Sequence, residues 1–510
     1  MNQAWTWTAA NERKAKARLG VTAYRPGQRE LIQAVMAGKD ALGILPTGGG
    51  KSLCYQSPAL FLPHAILVVS PLISLMQDQQ DKLTERNISA TKLNSTLTAH
   101  EERKAVEDIR GGEPELIYVT PERLENPDYL DLLKKTKVSL FVVDEAHCIS
   151  QWGHDFRPAY LALREAIRAL GRPPVLALTA TATPDVAADI LKQLAIPKAE
   201  VVNLGINRKN LFFEVIRTVN ETEKAERLTR ILRDCTGGIG LVYVPTVRMA
   251  DELWKRLREE GISAGRYHGK MKTADRELTQ QAFMNNEYEA VVATKAFGLG
   301  IDKRDLRFVV HYAIPDSVET YVQEAGRAGR DGRPARAILL YRLEDRRVQS
   351  YFLGGKYPRR EESLRVYRTL DRLLKEGSPA LGVPLQSLVQ ASELSENRVK
   401  VIIALLDATG IVKRGRHLKK LREFAADEEF TRFLEEYEQR HAGDRERLEV
   451  MMRYGQTTMC RMRYLAGYFH EELKSDCGHC DNCRTGATDR VIDTEALMKD
   501  RQPAVGSSGY

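Results

Sequence analysis

Residues Leu45-Pro46-Thr47-Gly48-Gly49-Gly50-Lys51-Ser52 constrain this chain more than any other stretch. They follow an apolar run, Ala41 to Leu45, that reads as a strand, and precede Leu53-Cys54-Tyr55-Gln56, which reads as the start of a helix. A glycine turn ending in Lys-Ser between strand and helix is a phosphate cradle. Its glycines let backbone N–H groups close on phosphate oxygens, and the helix N-terminus adds positive potential there. In that reading Thr47, Gly48, Gly49 and Gly50 wrap the phosphates, Lys51 reaches the terminal ones, and the Ser52 hydroxyl holds a magnesium ion. The strict pattern has glycine where Leu45 stands, so on this stretch alone an ordinary glycine-rich turn stays open.

Val142-Val143-Asp144-Glu145-Ala146-His147 supplies the partner: an apolar strand ending in two carboxylates. Asp144 would bind the magnesium ion, through water or directly, and Glu145 would polarise the water attacking the γ-phosphoryl group. A lone Asp-Glu pair is usually a solvated strand end. Two such motifs in this order make ATP hydrolysis the expected chemistry.

Between residues 40 and 200, short β-branched runs alternate with helical patterns, as in Ala65 to Ser70, Leu116 to Thr120, Leu140 to Asp144 and Val175 to Thr181. That alternation predicts an α/β fold with a mostly parallel sheet covered on both faces. It resumes after Asn203-Leu204-Gly205 with Gly240 to Val244, Ala290 to Thr294, Arg307 to Tyr312 and Ala337 to Tyr341, so two similar halves in tandem and a cleft between them are expected. Arg327 and Arg330, spaced i to i+3 and framed by Gly326 and Gly329, are expected on one helical face pointing from the second half into that cleft. An arginine there stabilises transition-state charge; which of the two does so stays open.

After Tyr341 the chain becomes charged and helical. Leu385, Leu388 and Val389, then Val399, Ile402, Ile403 and Leu406, then Ile411-Val412 and a basic turn at Lys413-Arg414-Gly415-Arg416 read as winged-helix-like, with a plain helical linker as the alternative. Cys460, Cys477, Cys480 and Cys483 follow a helical stretch at C-x16-C-x2-C-x2-C spacing. Four thiolates so spaced suit a tetrahedral structural zinc (Zn2+), with a redox dithiol or an iron–sulfur cluster as rivals. Zinc would support a module with a thin core of its own, so loss of Cys480 is expected to unfold it locally and spare the rest. A net charge of +8 permits a polyanionic partner without demanding one. No apolar window reaches membrane-spanning length and no signal core precedes Gly20, so no membrane partner and a cytoplasmic location are expected.

Further stretches carry a resemblance to the RecQ family of superfamily 2 DNA helicases, running from about Leu19 to Cys483: Tyr24-Arg25-Pro26-Gly27-Gln28, Ser70-Pro71-Leu72-Ile73-Ser74-Leu75-Met76, Thr120-Pro121-Glu122-Arg123-Leu124, the loop Cys148 to Pro158, Thr179-Ala180-Thr181-Ala182-Thr183, Phe297 to Asp302, and Gln323 to Gly332. The resemblance implies a magnesium- and ATP-dependent DNA helicase of 3′ to 5′ polarity, acting on single-stranded and forked DNA in repair and recombination. It implies a bacterial, nucleoid-associated monomer that interacts with single-stranded-DNA-binding protein. It makes Gln28 a reader of adenine, flanked by Tyr24 and Arg25, and places Gly300 and Asp302 at the nucleotide. Trp152 and Phe156 would offer faces to unpaired bases, with Arg157 pairing a phosphate. Ser70, Thr120, Arg123 and Thr294 would hold phosphates without reading bases.

The expected order is a first RecA-like domain (1–205), a second (206–342), a helical connector with the winged-helix-like segment (343–425), a zinc-binding domain (426–486) and a disordered tail (487–510). That order departs from the common RecQ plan, in which the winged helix follows the zinc module. Too few residues follow Cys483 for another wing or a helical accessory domain, so the strand-separating element has no assignment. An RNA helicase or non-unwinding translocase, and a binding module with a vestigial nucleotide site, are the competing readings.

Overall fold

The computed structural model describes residues 5–489 apart from 151, 154, 236–237, 298–302, 357–358, 377–381, 414–416 and 425–426. Gly300, Asp302 and the expected tail from 490 onward therefore lie outside the described residues.

The apolar runs form two parallel sheets. In the first lobe β1 (Ala41–Ile44), β2 (Ile66–Val69), β3 (Ala90–Leu93), β4 (Leu116–Val119), β5 (Leu140–Val143), β6 (Val175–Thr179) and β7 (Glu200–Asn203) pair in the order β3-β4-β2-β5-β6-β1-β7. In the second, β8 (Leu211–Arg217), β9 (Ile239–Tyr243), β10 (Ala264–Tyr267), β11 (Ala290–Ala293), β12 (Leu306–His311) and β13 (Ala335–Tyr341) pair in the order β10-β11-β9-β12-β13-β8. Central strands such as β2 and β5 are buried at every position, as a sheet covered by helices on both faces requires. Each sheet accordingly has two cores, one per face; Leu67 and Val143 lie in one, Ile66 and Val142 in the other.

Residues 360–424 resolve the alternatives left by the sequence. Helices Arg360–Glu376, Leu385–Ser392 and Glu396–Ala408 precede an antiparallel pair, Val412–Lys413 with Lys419–Lys420, and Val383 bridges Leu418. Val366, Leu370, Leu388, Val399, Ile402 and Leu406 make a core separate from both lobes. This is winged-helix order rather than a linker, and it is inserted between helix Arg346–Lys356 and the long helix Asp427–Gln456, which pack on each other.

The cysteine module does not have a thin core of its own, which corrects the sequence-based expectation. Tyr454, Cys460, Met462, Leu465 and Cys480 belong to one apolar cluster with Leu211, Phe213, Tyr321 and Ala337 of the second lobe. Polar bonds cross the same seam: Val215 N–H donates to Asp481 Oδ2 (2.9 Å), and the Tyr454 hydroxyl to that of Tyr321 (3.2 Å). The module covers the β8 edge of the second sheet, an edge that would otherwise need another cover.

Candidate functional site

The glycine turn leaves β1 at the carboxyl end of the sheet, where ligands bind in open α/β folds. Gly48 and Gly50 have φ of +79° and +75°, a region that favours glycine. The carbonyls of residues 47–50 are all tied outward: Thr47 O accepts from Arg208 (2.7 Å), Gly48 O from Arg25, Gly49 O and Gly50 O from Gln28 Nε2 (3.0 and 2.8 Å). The backbone N–H groups of Gly48, Gly50, Lys51 and Ser52 donate to no acceptor among the described residues. A loop with its acceptors spent and its donors free fits a phosphate chain.

These bonds give Gln28 a role in shaping the loop. Its side chain lines the cleft wall with its Oε1 accepting from Arg25 N–H (2.7 Å) and its Nε2 donating to the loop carbonyls. Tyr24 is half-buried, donates to Ser57 Oγ (2.8 Å) and stands beside Trp7, whereas Arg25 lines the cleft.

Asp144 and Glu145 leave β5 two strands from the glycine turn, in the same cleft of about 810 Å³ as Lys51 and Ser52. Glu145 has φ of +48°, a strained conformation for a residue with a side chain, held by Tyr160 donating to Asp144 O (3.0 Å) and by Glu145 N–H donating to Asp144 Oδ1 (3.0 Å). Burial, and next the charge of Glu145, push the Asp144 carboxyl up to about 7. A buried carboxylate beside a half-buried one, offset by Lys51, the Glu145 N–H and the Ser70 hydroxyl, matches the donor set a magnesium ion takes, oxygen ligands beside phosphates. His147 Nδ1 lies 3.0 Å from Thr179 Oγ1 at the end of β6, linking the acids to the next strand.

Arg327 and Arg330 both line this cleft from the second lobe, but not from a helical face. Helix Val318–Ala325 ends before them; they sit in the following turns, where Gly326 caps and Gly329 has φ of +60°. The glycines that frame the arginines stop the helix, and they permit close approach: a Cβ on Gly326 would lie 2.9 Å from Thr47, and one on Gly48 2.9 Å from Arg330. Arg327 is 6% exposed and its Nε has no hydrogen-bond partner among the described residues.

Arg208, which the sequence reading missed, fastens the lobes. It donates to Thr47 O of the first lobe and, within the second, to Gly329 O (2.8 Å) and Ala328 O (3.3 Å). Burial lowers it to about 10, which leaves it charged at neutral pH. Its one sequence signal was its place in the polar link just before β8.

The residues expected at nucleic acid divide. Ser70 is buried beside Asp144, and Thr120 is buried at the head of helix Pro121–Leu124, so neither hydroxyl faces a groove; both corrections follow from their place inside strand ends. Arg123 is committed to Asn94 O (2.7 Å), Glu102 (2.9 Å) and the Tyr129 ring and hydroxyl, which leaves it a structural role here. Thr294 is half-buried just past β11. Arg157 reaches Pro71 O (3.5 Å) and Asp155 (3.4 Å). Trp152 is 55% exposed and Phe156 half-buried. Their loop rests on the long helix, where Arg447 donates to Trp152 O (3.0 Å) and Arg440 stacks on Phe156 at 4.6 Å.

The sulfurs of Cys460, Cys477, Cys480 and Cys483 lie within 4.8 Å of one another. Metal–sulfur bonds of about 2.3 Å in a tetrahedron put sulfurs about 3.8 Å apart. Cys477 and Cys483 are at 3.9 Å, Cys480 and Cys483 at 3.4 Å. Cys460 Sγ accepts from Cys477 N–H and Cys480 Sγ from Arg461 N–H, the support thiolates receive in structural zinc sites.

A cleft completed by acids from one lobe and arginines from the other, with a four-cysteine module on the second lobe, is the architecture of a helicase-type motor ATPase. Comparison with known proteins agrees. The chain matches the DEAD/DEAH box helicase family over residues 25–190, the helicase conserved C-terminal domain over 223–332 and the RecQ zinc-binding family over 416–484. It is 41% identical over 355 residues to a probable ATP-dependent DNA helicase RecS of Bacillus subtilis, covering 69% of this chain and 71% of that one. It is 36% identical over 481 residues to the ATP-dependent DNA helicase RecQ of B. subtilis, covering 94% and 68%. The structure of Mycobacterium smegmatis helicase Lhr bound to ssDNA and AMP-PNP shares the fold, with a TM-score of 0.55 at 19% identity over 88% of this chain and 62% of that one. The chain belongs to the RecQ family of ATP-dependent DNA helicases.

Proposed function

We propose that this protein is a 3′ to 5′ DNA helicase that turns ATP hydrolysis in the inter-lobe cleft into movement along single-stranded DNA and separation of duplex. The observation that carries the reading is one cavity lined by Lys51, Asp144 and Glu145 from the first lobe and by Arg327 and Arg330 from the second. Lys51 and the free loop N–H groups hold the β- and γ-phosphates. Glu145 orients the attacking water. Arg327 and Arg330 stabilise charge on the transferring phosphoryl group only when the lobes are together, which ties hydrolysis to lobe motion. A magnesium ion on Ser52 and Asp144 neutralises phosphate charge when bound. Trp152 and Phe156 meet unpaired bases, with Arg157 and Thr294 at the backbone. The four cysteines hold zinc. The domain limits proposed are 1–205, 206–342, 343–425 and 426–486; the separate core of the insert, within 360–424, supports a distinct unit inside the third, while helix Arg346–Lys356 packs with the motor.

By family resemblance the setting is repair and recombination at the bacterial nucleoid, as a monomer working with single-stranded-DNA-binding protein. Unwinding of 3′-tailed, 5′-tailed and forked duplexes with and without ATP tests the activity and its polarity, with Lys51→Ala as the inactive control. Stimulation of ATP turnover by RNA equal to that by DNA would favour the RNA reading instead.

A further inference from the structure

A second cavity of about 550 Å³ lies where the inserted module meets the motor. Arg346, Arg359, Arg398 and Arg445 line it, with Glu449 as the one carboxylate among the described residues. Arg346 and Ser350 come from helix Arg346–Lys356, Arg398 from the insert, and His441 and Arg445 from the long helix, with Leu353 and Leu448 beneath them. Three of the four arginines lie in residues 333–415, which none of the three family matches covers.

The charge is under-compensated. Arg346 meets Glu449 at 3.5 Å and Arg398 meets Glu362 at 3.2 Å, while Arg359 and Arg445 make no ion pair among the described residues. Burial and the neighbouring Arg445 hold His441 below the usual imidazole range, with Asp444 opposing. Guanidiniums this close repel one another in the absence of an anion, and their planar donors match phosphate oxygens. Among the described residues the lining holds no phenyl, phenol or indole ring on which a base could stack, and its four guanidiniums suit an anion rather than an apolar ligand.

Position narrows the anion to a nucleic-acid backbone. Arg440, Asp444 and Arg447 form the face of the long helix turned toward the aromatic loop, since Arg440 meets Phe156, Arg447 meets Trp152 and Asp444 holds Arg447. His441, Arg445 and Leu448 each follow one of those residues, so the pocket face is turned by about 100° on the same nine-residue stretch, 440–448, about 12 Å long. A strand passing over Trp152 and Phe156 meets this pocket next as it rounds the helix.

We propose that this arginine pocket binds backbone phosphates of the DNA single strand beyond the aromatic loop, making the insert part of the strand's path through the motor. The assignment rests on the helicase reading. The full-length variant Arg359→Glu/Arg445→Glu tests it, with Arg359→Gln/Arg445→Gln as the milder pair, because both side chains are on the surface. Affinity for an oligothymidylate is measured by fluorescence anisotropy across salt concentrations, beside a blunt duplex and inorganic phosphate. For the Glu pair, single-strand affinity is expected to fall about tenfold or more at about 150 mM salt, and the slope of log K against log salt to shrink by about 1.4, two contacts at about 0.7 each. DNA-free ATP turnover and zinc content are expected to stay at the wild-type level. Unchanged single-strand affinity and slope in both variants overturn the proposal, as does a loss confined to blunt duplex. Inorganic phosphate stabilising wild type but not the variants, with DNA affinity unchanged, would show a free-anion site and overturn it too. If wild type itself fails to bind the oligonucleotide, the helicase reading falls, a result distinct from failure of the pocket.

Discussion

Replacing Arg208 with alanine removes the guanidinium that joins the glycine turn of one lobe to the arginine turn of the other. Its bond to Thr47 O, at 2.7 Å, crosses the cleft; those to Gly329 O and Ala328 O fix the turn carrying Arg330. A hydrogen bond to a charged group is worth about 1.5–3 kcal/mol. Losing the cross-lobe bond alone should weaken closure by about 10- to 150-fold, since 1.36 kcal/mol is about tenfold. Nucleotide contacts within the first lobe remain, so the loss falls on kcat at saturating DNA, with nucleotide affinity changed little. Arg208→Lys should recover part of it, because an ammonium reaches one carbonyl but cannot fork across both turns. Arg25, which bonds Gly48 O and Arg330 O, spans the same seam, so the double alanine variant should be non-additive with Arg208→Ala. Steady-state ATP turnover of the two singles and the double settles it. A kcat for Arg208→Ala within about threefold of wild type, or strict additivity, would refute the staple, since contacts of this strength cannot be lost silently.

Arg327→Ala and Arg330→Ala should each bind nucleotide, and the variant lacking the transition-state contact should lose about 10³-fold in kcat, measured by phosphate release. Asp144 titrates near 7 in the folded chain and near about 3.9 when unfolded, so between about pH 4 and 7 the folded state keeps a proton the unfolded state has lost, and stability falls as pH rises through that window. Asp144→Asn should flatten this dependence and gain up to about 4 kcal/mol above pH 7 in magnesium-free thermal melts while abolishing hydrolysis; an unchanged melting profile would contradict the burial argument. Stripping the metal, or Cys480→Ser, should reduce hydrogen-exchange protection in β8 as well as in the cysteine module, because they share a core; loss confined to residues 457–486 would mean the modules are independent. Trp152→Ala with Phe156→Ala should leave DNA-free ATP turnover intact and remove its stimulation by single-stranded DNA.

The two sheets were legible from their central strands, apolar runs that end in turns with their own chemistry, as Val142–Glu145 shows, whereas the more mixed β3, β7, β8 and β10 were not read as strands. The cysteine cluster was legible from spacing alone. What was not legible depended on which polar atom meets which. Gln28 reads equally well as a base reader or as a loop anchor, and only its three bonds decide how it is used here. The i to i+3 spacing of Arg327 and Arg330 signals one helical face only if the helix continues, and Gly326 and Gly329 end it. Arg208 carried no motif at all; its importance comes from two carbonyls about 120 residues away and one about 160 residues away in sequence.

The outward-facing carbonyls of the glycine turn bear on how the lobes communicate. Arg208, Arg25 and Gln28 donate from their side chains to the carbonyls of residues 47–50, and two of the three also touch the arginine turn of the second lobe. A phosphate entering the loop meets N–H groups only, since the competing acceptors are already engaged. The same bonds that shape the loop for phosphate therefore report whether the second lobe is in place. Opening the cleft would withdraw Arg208 from Thr47 O and free that one carbonyl, whereas Arg25 and Gln28, in the same lobe as the loop, would keep those of Gly48, Gly49 and Gly50. The arginines outside the reaction centre thus set how firmly the lobes meet at the loop, and the two within it, Arg327 and Arg330, meet the charge.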